Sequence, residues 1–132
     1  MKHTLLIITA LMLVVGCSSD PIDGSTLIEK GGLMYAPGSD KPYSGDAVWH
    51  YNSEVNRKEG TFKNGVPDGV WTKWYSNGQK CEEETYKDGK IDGLYTYWYE
   101  NGQKKSESTY RYGRWNLGKC WDEDGNEMDC PG

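Results

Sequence analysis

The sequence predicts an all-β fold, an elongated single sheet of stacked antiparallel hairpins built from about four units of about 24 residues each. Three observations lead to this prediction. The chain repeats itself at a regular interval, as Gly45, Gly69 and Gly93 show, and its two best-kept units carry an Asn-Gly turn signal. Six Trp, ten Tyr and one Phe supply most of the apolar bulk after residue 17. Trp, Tyr and Thr favour strands, and a high glycine content favours turns.

Residues 1–16 have the pattern of an export signal. Lys2 supplies a basic start, and the apolar run 5–15 is too short to span a bilayer, which needs about 20 residues. The sequence Val14-Val15-Gly16-Cys17 resembles the lipobox of bacterial lipoproteins. This resemblance implies cleavage before Cys17, a diacylglycerol on its sulfur and an N-acyl chain such as palmitate. Several acyl chains anchor a protein stably, whereas one does so only marginally.

The residues after the cysteine predict where the protein is held. The residue after Cys17 is Ser18 and not Asp. In Gram-negative lipoproteins, the absence of Asp at this position resembles an outer-membrane address and not inner-membrane retention. Residues 17–31 are expected to be the lipidated cysteine and a flexible tether, and residues 32–132 the repeat domain. The alternative is a soluble secreted protein with an incidental cysteine at the cleavage site.

The charge narrows the class of partner. Loss of Lys2 with the signal moves the net charge from −5 to −6. An acidic chain argues against a nucleic-acid partner and against a polybasic membrane patch, and it favours a basic protein partner.

Each unit contains its own hairpin. Val70 to Tyr75 is rich in strand-forming residues, and Lys80 to Lys87 is the return strand. We expect a tight turn at Asn77-Gly78, because both residues accept positive φ, and we expect positive φ at Gly78. Links to the next hairpin are expected at Asp88-Gly89 and Asp92-Gly93. A lone hairpin is barely stable in water, so the array is the folding unit.

The repeat resembles a known family. Gly69 to Lys80 and Gly93 to Lys104 agree closely, and they resemble the MORN-repeat variant of exported bacterial proteins, which also marks the YwqK group of antitoxin-labelled proteins. The resemblance covers roughly residues 32–130 and implies a scaffold with no fixed function. The fourth copy departs from the pattern, with Asp122 where the others have Tyr. The recurring positions are Gly45, Gly69 and Gly93; Tyr51, Tyr75 and Tyr99; Glu59, Glu83 and Glu107; and Phe62, Tyr86 and Tyr110.

Three cysteines remain once Cys17 is lipidated. Cys120 and Cys130 flank a short segment with an Asp124-Gly125 turn, which predicts a disulfide across the last hairpin in an oxidising compartment. Free thiols are the alternative. Cys81 is then an odd thiol.

The sequence predicts no catalytic site, metal or cofactor. His50, the only histidine after the signal, occupies a position that holds Trp in other units, so we interpret it as a ring filling an aromatic position. Glu59 and its repeats would lie about 10 Å apart, too far to share an ion, so each should bond within its own unit. The acidic residues around Asp122 lack calcium-loop spacing and are expected to be a solvated tip.

Aromatic alternation predicts a binding surface. In residues 94–99 both parities carry rings, so one face can form the core while the other exposes rings to a partner. The function expected is a membrane-anchored scaffold that binds a macromolecule, such as a toxin or effector, as an antitoxin or immunity protein does. The alternative is a glycan or cell-wall binder. The candidate face consists of Tyr95, Tyr97, Tyr99, Trp71 and Tyr75.

Overall fold

The computed structural model describes residues 19–51 and 55–131, and within them it contains eleven strands and one 3-10 turn, Gly24–Thr26. No helix in this part of the chain is long and apolar enough to cross a membrane. The predicted export signal, Cys17, Ser18 and residues 52–54 of the first repeat unit lie outside the described residues. The strands are β1 (Ile22–Asp23), β2 (Ile28–Lys30), β3 (Leu33–Tyr35), β4 (Gly45–His50), β5 (Val55–Lys63), β6 (Val66–Tyr75), β7 (Lys80–Lys87), β8 (Lys90–Trp98), β9 (Lys104–Arg111), β10 (Arg114–Trp121) and β11 (Glu127–Met128).

Nine strands form one open sheet in the order β1-β4-β5-β6-β7-β8-β9-β10-β11. Every neighbouring pair from β4 to β11 is antiparallel, and β1 lies parallel to β4. The predicted ribbon of stacked hairpins is therefore confirmed. The pair β2–β3 forms a separate two-stranded sheet that the repeat did not predict.

Along one side of the ribbon the strands are joined by two-residue turns in which both residues have positive φ. The pairs are Asn64-Gly65 (φ 50° and 82°), Asp88-Gly89 (50° and 79°) and Tyr112-Gly113 (52° and 77°). This is the type I′ geometry, which suits the twist of a hairpin and favours Asn, Asp and Gly. Tyr112 adopts it without the short polar side chain that makes positive φ tolerable.

Along the other side, the loops 76–78, 100–102 and 123–125 are each three residues long. The amide of Gly78 donates to the carbonyl of Tyr75 (3.0 Å) and the amide of Tyr75 to the carbonyl of Gln79 (2.9 Å). Gly78 has φ +86°, whereas Asn77 is not among the residues with positive φ. The predicted hairpin and the predicted positive φ at Gly78 are therefore confirmed, whereas Asn77 does not use the positive φ that it can accept. A type I turn followed by a left-handed glycine forms here because the extra loop residue accommodates the bulge in the hairpin.

Gly69 and Gly93 mark bulges inside strands rather than turns. Their φ values are +78° and +126°, and the pairing shifts register beside them, between Glu59 and Thr61 and between Glu84 and Tyr86. The predicted link at Asp92-Gly93 is therefore corrected, because Gly93 lies within β8. A bulge bends its strand and increases the local twist, so each repeat contributes a bend as well as a hairpin.

The core lies at the N-terminal half of the ribbon. Ala47, Phe62 and Trp71 are buried at its centre, and partly buried apolar residues from the segment 22–43, from β4 and from β7 pack around them. These surrounding residues are Ile22, Leu27, Met34, Tyr43, Trp49 and Tyr86.

The predicted tether over residues 17–31 is shorter in the structure. Ile22 and Asp23 pair with Ala47 and Val48, and β2 pairs with β3 within the segment 28–35. Gly24 lies directly under the Trp49 ring, where an added Cβ would sit 2.0 Å from a ring carbon. The segment folds because its apolar side chains cover the first edge of the array, which no earlier repeat covers.

Candidate functional site

Cross-strand register places alternate residues of the sheet on two faces. The first, which we call the ring face, carries the core and most of the tyrosines. The second, which we call the ladder face, carries the recurring glutamates and a tryptophan from each full unit. The ring face includes Trp49, Lys58, Phe62, Trp71, Lys73, Glu82, Glu84, Tyr86, Tyr95, Tyr97, Tyr110 and Trp115; the ladder face includes Arg57, Glu59, Trp74, Lys80, Glu83, Trp98, Lys104, Glu107 and Trp121.

On the ladder face each unit holds its own ion pair. Arg57 pairs with Glu59, Lys80 with Glu83 (2.5 Å) and Lys104 with Glu107 (2.5 Å). The interpretation that each glutamate of this column bonds within its own unit is confirmed.

The same cations cover the tryptophans of the following unit. The guanidinium of Arg57 lies 5.2 Å from the Trp74 ring, and the ammonium groups of Lys80 and Lys104 lie 5.8 Å and 5.5 Å from Trp98 and Trp121. Cation–π contact of this kind contributes about 0.5–1 kcal/mol at an exposed site. The ladder face is therefore occupied by the contacts that join one unit to the next.

At the centre of the ring face lies a cluster of charged and hydroxyl groups. Glu82 is only 4% exposed and accepts from the Lys73 ammonium (2.5 Å) and from the Tyr95 hydroxyl (2.5 Å). The hydroxyls of Tyr95 and Tyr97 lie 2.8 Å apart. Because Tyr95 gives its proton to Glu82, Tyr97 donates to Tyr95.

The two carboxyl groups of this cluster have opposite character. Burial by itself raises the pKa of Glu82, but the hydrogen bonds from Glu84, Lys73 and Tyr95 outweigh burial and hold that pKa at about 2. Burial and the neighbouring Glu82 raise the pKa of Glu84. Glu82 is thus the permanent anion of the pair, and Glu84 is the group that holds a proton more readily.

Beside this cluster is a cleft of about 280 Å³ walled by Trp49, Phe62, Trp71 and Tyr86. The ammonium of Lys58 lies over two of these rings, 5.2 Å from the Trp49 centroid and 5.0 Å from the Trp71 centroid. Burial, followed by repulsion from Lys73, lowers the pKa of Lys58. The cation of Lys58 therefore covers both rings from the same side.

The sequence-predicted binding residues have different roles. Trp71 is 5% exposed and belongs to the core, so its assignment to an exposed face was wrong, because the segment 22–43 packs over it. Tyr75 and Tyr99 donate their hydroxyls to the carbonyls of Trp98 (2.8 Å) and Trp121 (2.9 Å) in the next unit. These two tyrosines join successive units.

Asn77 and Asn101 extend this joining role. The Asn77 amide donates to the carbonyl of Glu100 (2.8 Å), and the Asn101 amide donates to the carbonyl of Glu123 (3.0 Å). Each asparagine also accepts from the amide two residues later, which holds its loop. The Asn of each Asn-Gly signal therefore connects neighbouring loops.

The ring face is open at its C-terminal end. A groove of about 550 Å³ is bordered by Tyr99, Tyr110 and Trp115 and by the hydroxyls of Ser106 and Ser108. Trp115 is 61% exposed. Tyr110 and Trp115 are surface rings that the sequence did not predict, although Tyr110 follows the repeat period and Trp115 is its partner across the strands.

The C-terminal turn agrees with its structural interpretation. The predicted Cys120–Cys130 disulfide is present, and Cys81 is a buried free thiol. Asp122 accepts from the amides of Asp124 (3.0 Å) and Asn126 (2.8 Å) at the turn.

His50 is exposed at the end of β4. Among the described residues no group of His, Cys, Asp and Glu side chains has a metal-binding arrangement.

A known family model matches the two best-kept units of the repeat. Residues 67–88 and 91–112 match the model of the MORN repeat variant. These segments correspond to the hairpins β6–β7 and β8–β9, so the centre of the ribbon consists of MORN-variant repeats. Searches of curated proteins and of solved structures found no match.

Proposed function

We propose that the protein is a lipid-anchored scaffold without catalytic activity that binds a macromolecular partner on the open end of its ring face. One observation carries this proposal. The N-terminal half of the ring face is covered by residues 22–43, whereas the C-terminal half presents Tyr110 and the 61%-exposed Trp115 beside a groove of about 550 Å³. Exposed rings grouped at one place on a small protein are typical of a binding surface.

The anchor is supported by the lipobox resemblance at Val14 to Cys17. Because β1 begins at Ile22, only residues 18–21 separate Cys17 from the sheet, a reach of about 13 Å. The β1–β4 edge would then lie close to the lipid surface. The β10 edge would lie seven strand spacings from β1, about 34 Å further along the ribbon, where a partner has access. Ser18 supports an outer-membrane location.

The anchor is tested with Cys17→Ala and Cys17→Ser. We expect both variants to lose incorporation of a labelled fatty acid and to leave the membrane fraction or retain their signal, because the acylated sulfur is absent. Unchanged labelling and fractionation would refute the lipid anchor without affecting the binding proposal.

The partner that we propose is a protein, such as a toxin or effector neutralised in the periplasm, which would make this chain antitoxin- or immunity-like. Tyr and Trp give a rigid contact area at low entropic cost, and serine hydroxyls add adaptable hydrogen bonds, a combination typical of protein-binding surfaces. A glycan or cell-wall polymer is the second candidate, because rings flanked by the hydroxyls of Ser106 and Ser108 also suit a sugar.

The binding proposal is tested by capture with the lipid-free chain beginning at Ser18. Trp115→Ala should reduce capture of a specific protein at least fivefold, while Tyr112→Ala, a change of an equally exposed ring at a turn, should reduce it little. Both variants should keep the melting temperature within a few degrees. Trp115-dependent retention on peptidoglycan alone would favour the glycan candidate, and equal capture by both variants would refute the ring face as the site.

A further inference from the structure

The outer edge of β10 has no partner strand along most of its length. β11 pairs only with Cys120 and Trp121, so residues 114–119 face outward within the part of the chain that the structure describes. These six residues offer about 20 Å of unpaired backbone donors and acceptors. The opposite edge differs, because β1 and the 3-10 turn Gly24–Thr26 lie beside β4.

The chain after β11 does not pair with this edge. If the register of β11 continued, Cys130 would lie opposite Gly118 and diagonal to Cys120, at a typical Cα separation of about 7–8 Å. The Cα atoms of Cys120 and Cys130 are 5.2 Å apart instead. The chain therefore leaves the strand register after Met128, and Pro131, which has no backbone N–H to give a strand partner, follows.

The side chains at this edge are apolar and basic. Trp115 and Leu117 are 61% and 62% exposed. Arg114 and Lys119 flank them, and Arg111 lies directly across from Arg114. β10 carries no acidic residue. The Arg111 and Arg114 end of the edge is therefore cationic although the chain as a whole is acidic, whereas at the other end Lys119 pairs with Glu127 of β11 (3.5 Å).

The inner units indicate which strand fits such an edge. β6 and β8 are the equivalents of β10, and each is paired by a return strand, β7 or β9. β7 brings Glu82, Glu83 and Glu84 against β6, and Glu82 binds Lys73 of that strand. The array thus accepts a glutamate-bearing extended strand at this position.

We propose that the β10 edge binds an extended acidic segment of a partner protein by antiparallel strand addition, an inference that rests on the protein-binding function proposed above. Backbone hydrogen bonds to residues 114–119 give affinity, and the cationic end at Arg111 and Arg114 selects acidic sequences. A second copy fits less well, because full antiparallel self-pairing of 114–119 sets Arg114 opposite Lys119 twice, and like charges directly opposite each other are unfavourable.

The probe that tests this is a fluorescent peptide copying β7 with serine for its cysteine, Lys-Ser-Glu-Glu-Glu-Thr-Tyr-Lys, added to the purified full-length protein at low salt. We expect saturable binding by anisotropy and slower hydrogen exchange of the amides in 114–119. Two further peptides carry methyl groups on alternate backbone nitrogens, so that each has the N–H groups of one strand edge blocked. Their dissociation constants should differ at least fivefold, because only one edge of the added strand bonds to β10. A peptide with lysines for the glutamates should bind at least fivefold more weakly.

Matched variants complete the test. Arg111→Glu and Arg114→Glu should each weaken binding of the acidic peptide at least threefold, while Lys41→Glu, an exposed charge change away from β10, should not. Equal binding of both methylated peptides, or protection outside 114–119, overturns strand addition. Dimerisation of the protein through the same amides overturns it in favour of a second copy. If the edge fails but Trp115-dependent capture persists, the proposed function stands without this inference.

Discussion

Gly60 provides a sharp test of the packing described here. It lies in the middle of β5 without a positive φ, so its backbone places no restriction on alanine. The space around it does, because an added Cβ would lie 2.1 Å from Cδ2 and 2.4 Å from Cε2 of Trp71, where normal contact is 3.4–4 Å. The Trp71 ring lies flat on this glycine and touches Phe62, with 4.9 Å between ring centroids.

The expected cost of Gly60→Ala is about 3 kcal/mol. Overpacking in a core typically costs about 1–3 kcal/mol. Complete expulsion of a Trp ring, about 200 Å² at roughly 25 cal/mol per Å², would cost about 5 kcal/mol. Replacing a strand glycine by alanine returns about 0.5–1 kcal/mol. The Trp71 ring must move by more than about 1 Å to restore normal contact. The neighbouring rings of Trp49 and Tyr86 resist this movement, whereas the adjoining cleft accommodates part of it, so the result should lie between the two limits.

The assay is urea unfolding of the oxidised protein, followed by tryptophan fluorescence and far-UV circular dichroism. Gly78→Ala is the matched control, because its φ of +86° strains alanine by about 1 kcal/mol although its Cβ would meet nothing within 4 Å. In a Trp71→Leu background the cost of Gly60→Ala should fall by at least half, which isolates the ring contact. If Gly60→Ala costs no more than Gly78→Ala, the proposed stacking of Trp71 on Gly60 is wrong.

Three further predictions follow from local geometry. Tyr112→Asn should stabilise the protein by about 0.5–1 kcal/mol in urea unfolding, because Tyr112 holds φ +52° where other units have Asn64 and Asp88; a loss of stability would contradict this. Replacing Cys120 and Cys130 by serine should cost about 2–3 kcal/mol for a loop of 10 residues, and an unchanged unfolding midpoint would count against the staple. Because the pKa of Glu82 is lowered from 4.5 to about 2, its contribution to the free energy of unfolding is complete above pH 4.5 and is lost as the pH falls through 2. Glu82→Gln should therefore destabilise the protein strongly at pH 7 and progressively less below pH 4.5. Glu84 has a raised pKa, so Glu84→Gln should cost less stability at pH 7.

Much of the fold follows from short-range patterns in the sequence. The repeat period, strand alternation and glycine turns predict the order and direction of the hairpins, because each depends on residues within one unit. Turn type did not follow from the Asn-Gly pair alone. Asn64-Gly65 forms a type I′ turn, whereas Asn77-Gly78 forms part of a three-residue loop, since the number of loop residues depends on the strand register at either side.

The candidate site was less accessible from the sequence. The tyrosine alternation correctly identified Tyr95 and Tyr97 as sharing a face, but their hydroxyls belong to a network with Glu82. Residues with the spacing of Glu82 and Lys73 meet only because of the register shift between β6 and β7. A bulge shifts the pairing of two strands by one residue, so it changes which side chains lie opposite each other. The sequence of one strand alone does not predict this shift.

The sequence by itself determined the repeat, the hairpin order and the Cys120–Cys130 pairing, because these depend on backbone preferences and on separations of a few residues. Only the tertiary structure decided which rings are buried and which are open. Trp71 and Trp115 both lie in strands. Trp71 is buried in a cluster against which the segment 22–43 packs, whereas Trp115 is exposed on β10. Burial is a property of what packs on a face, and the covering segment lies outside the repeat that defines that face.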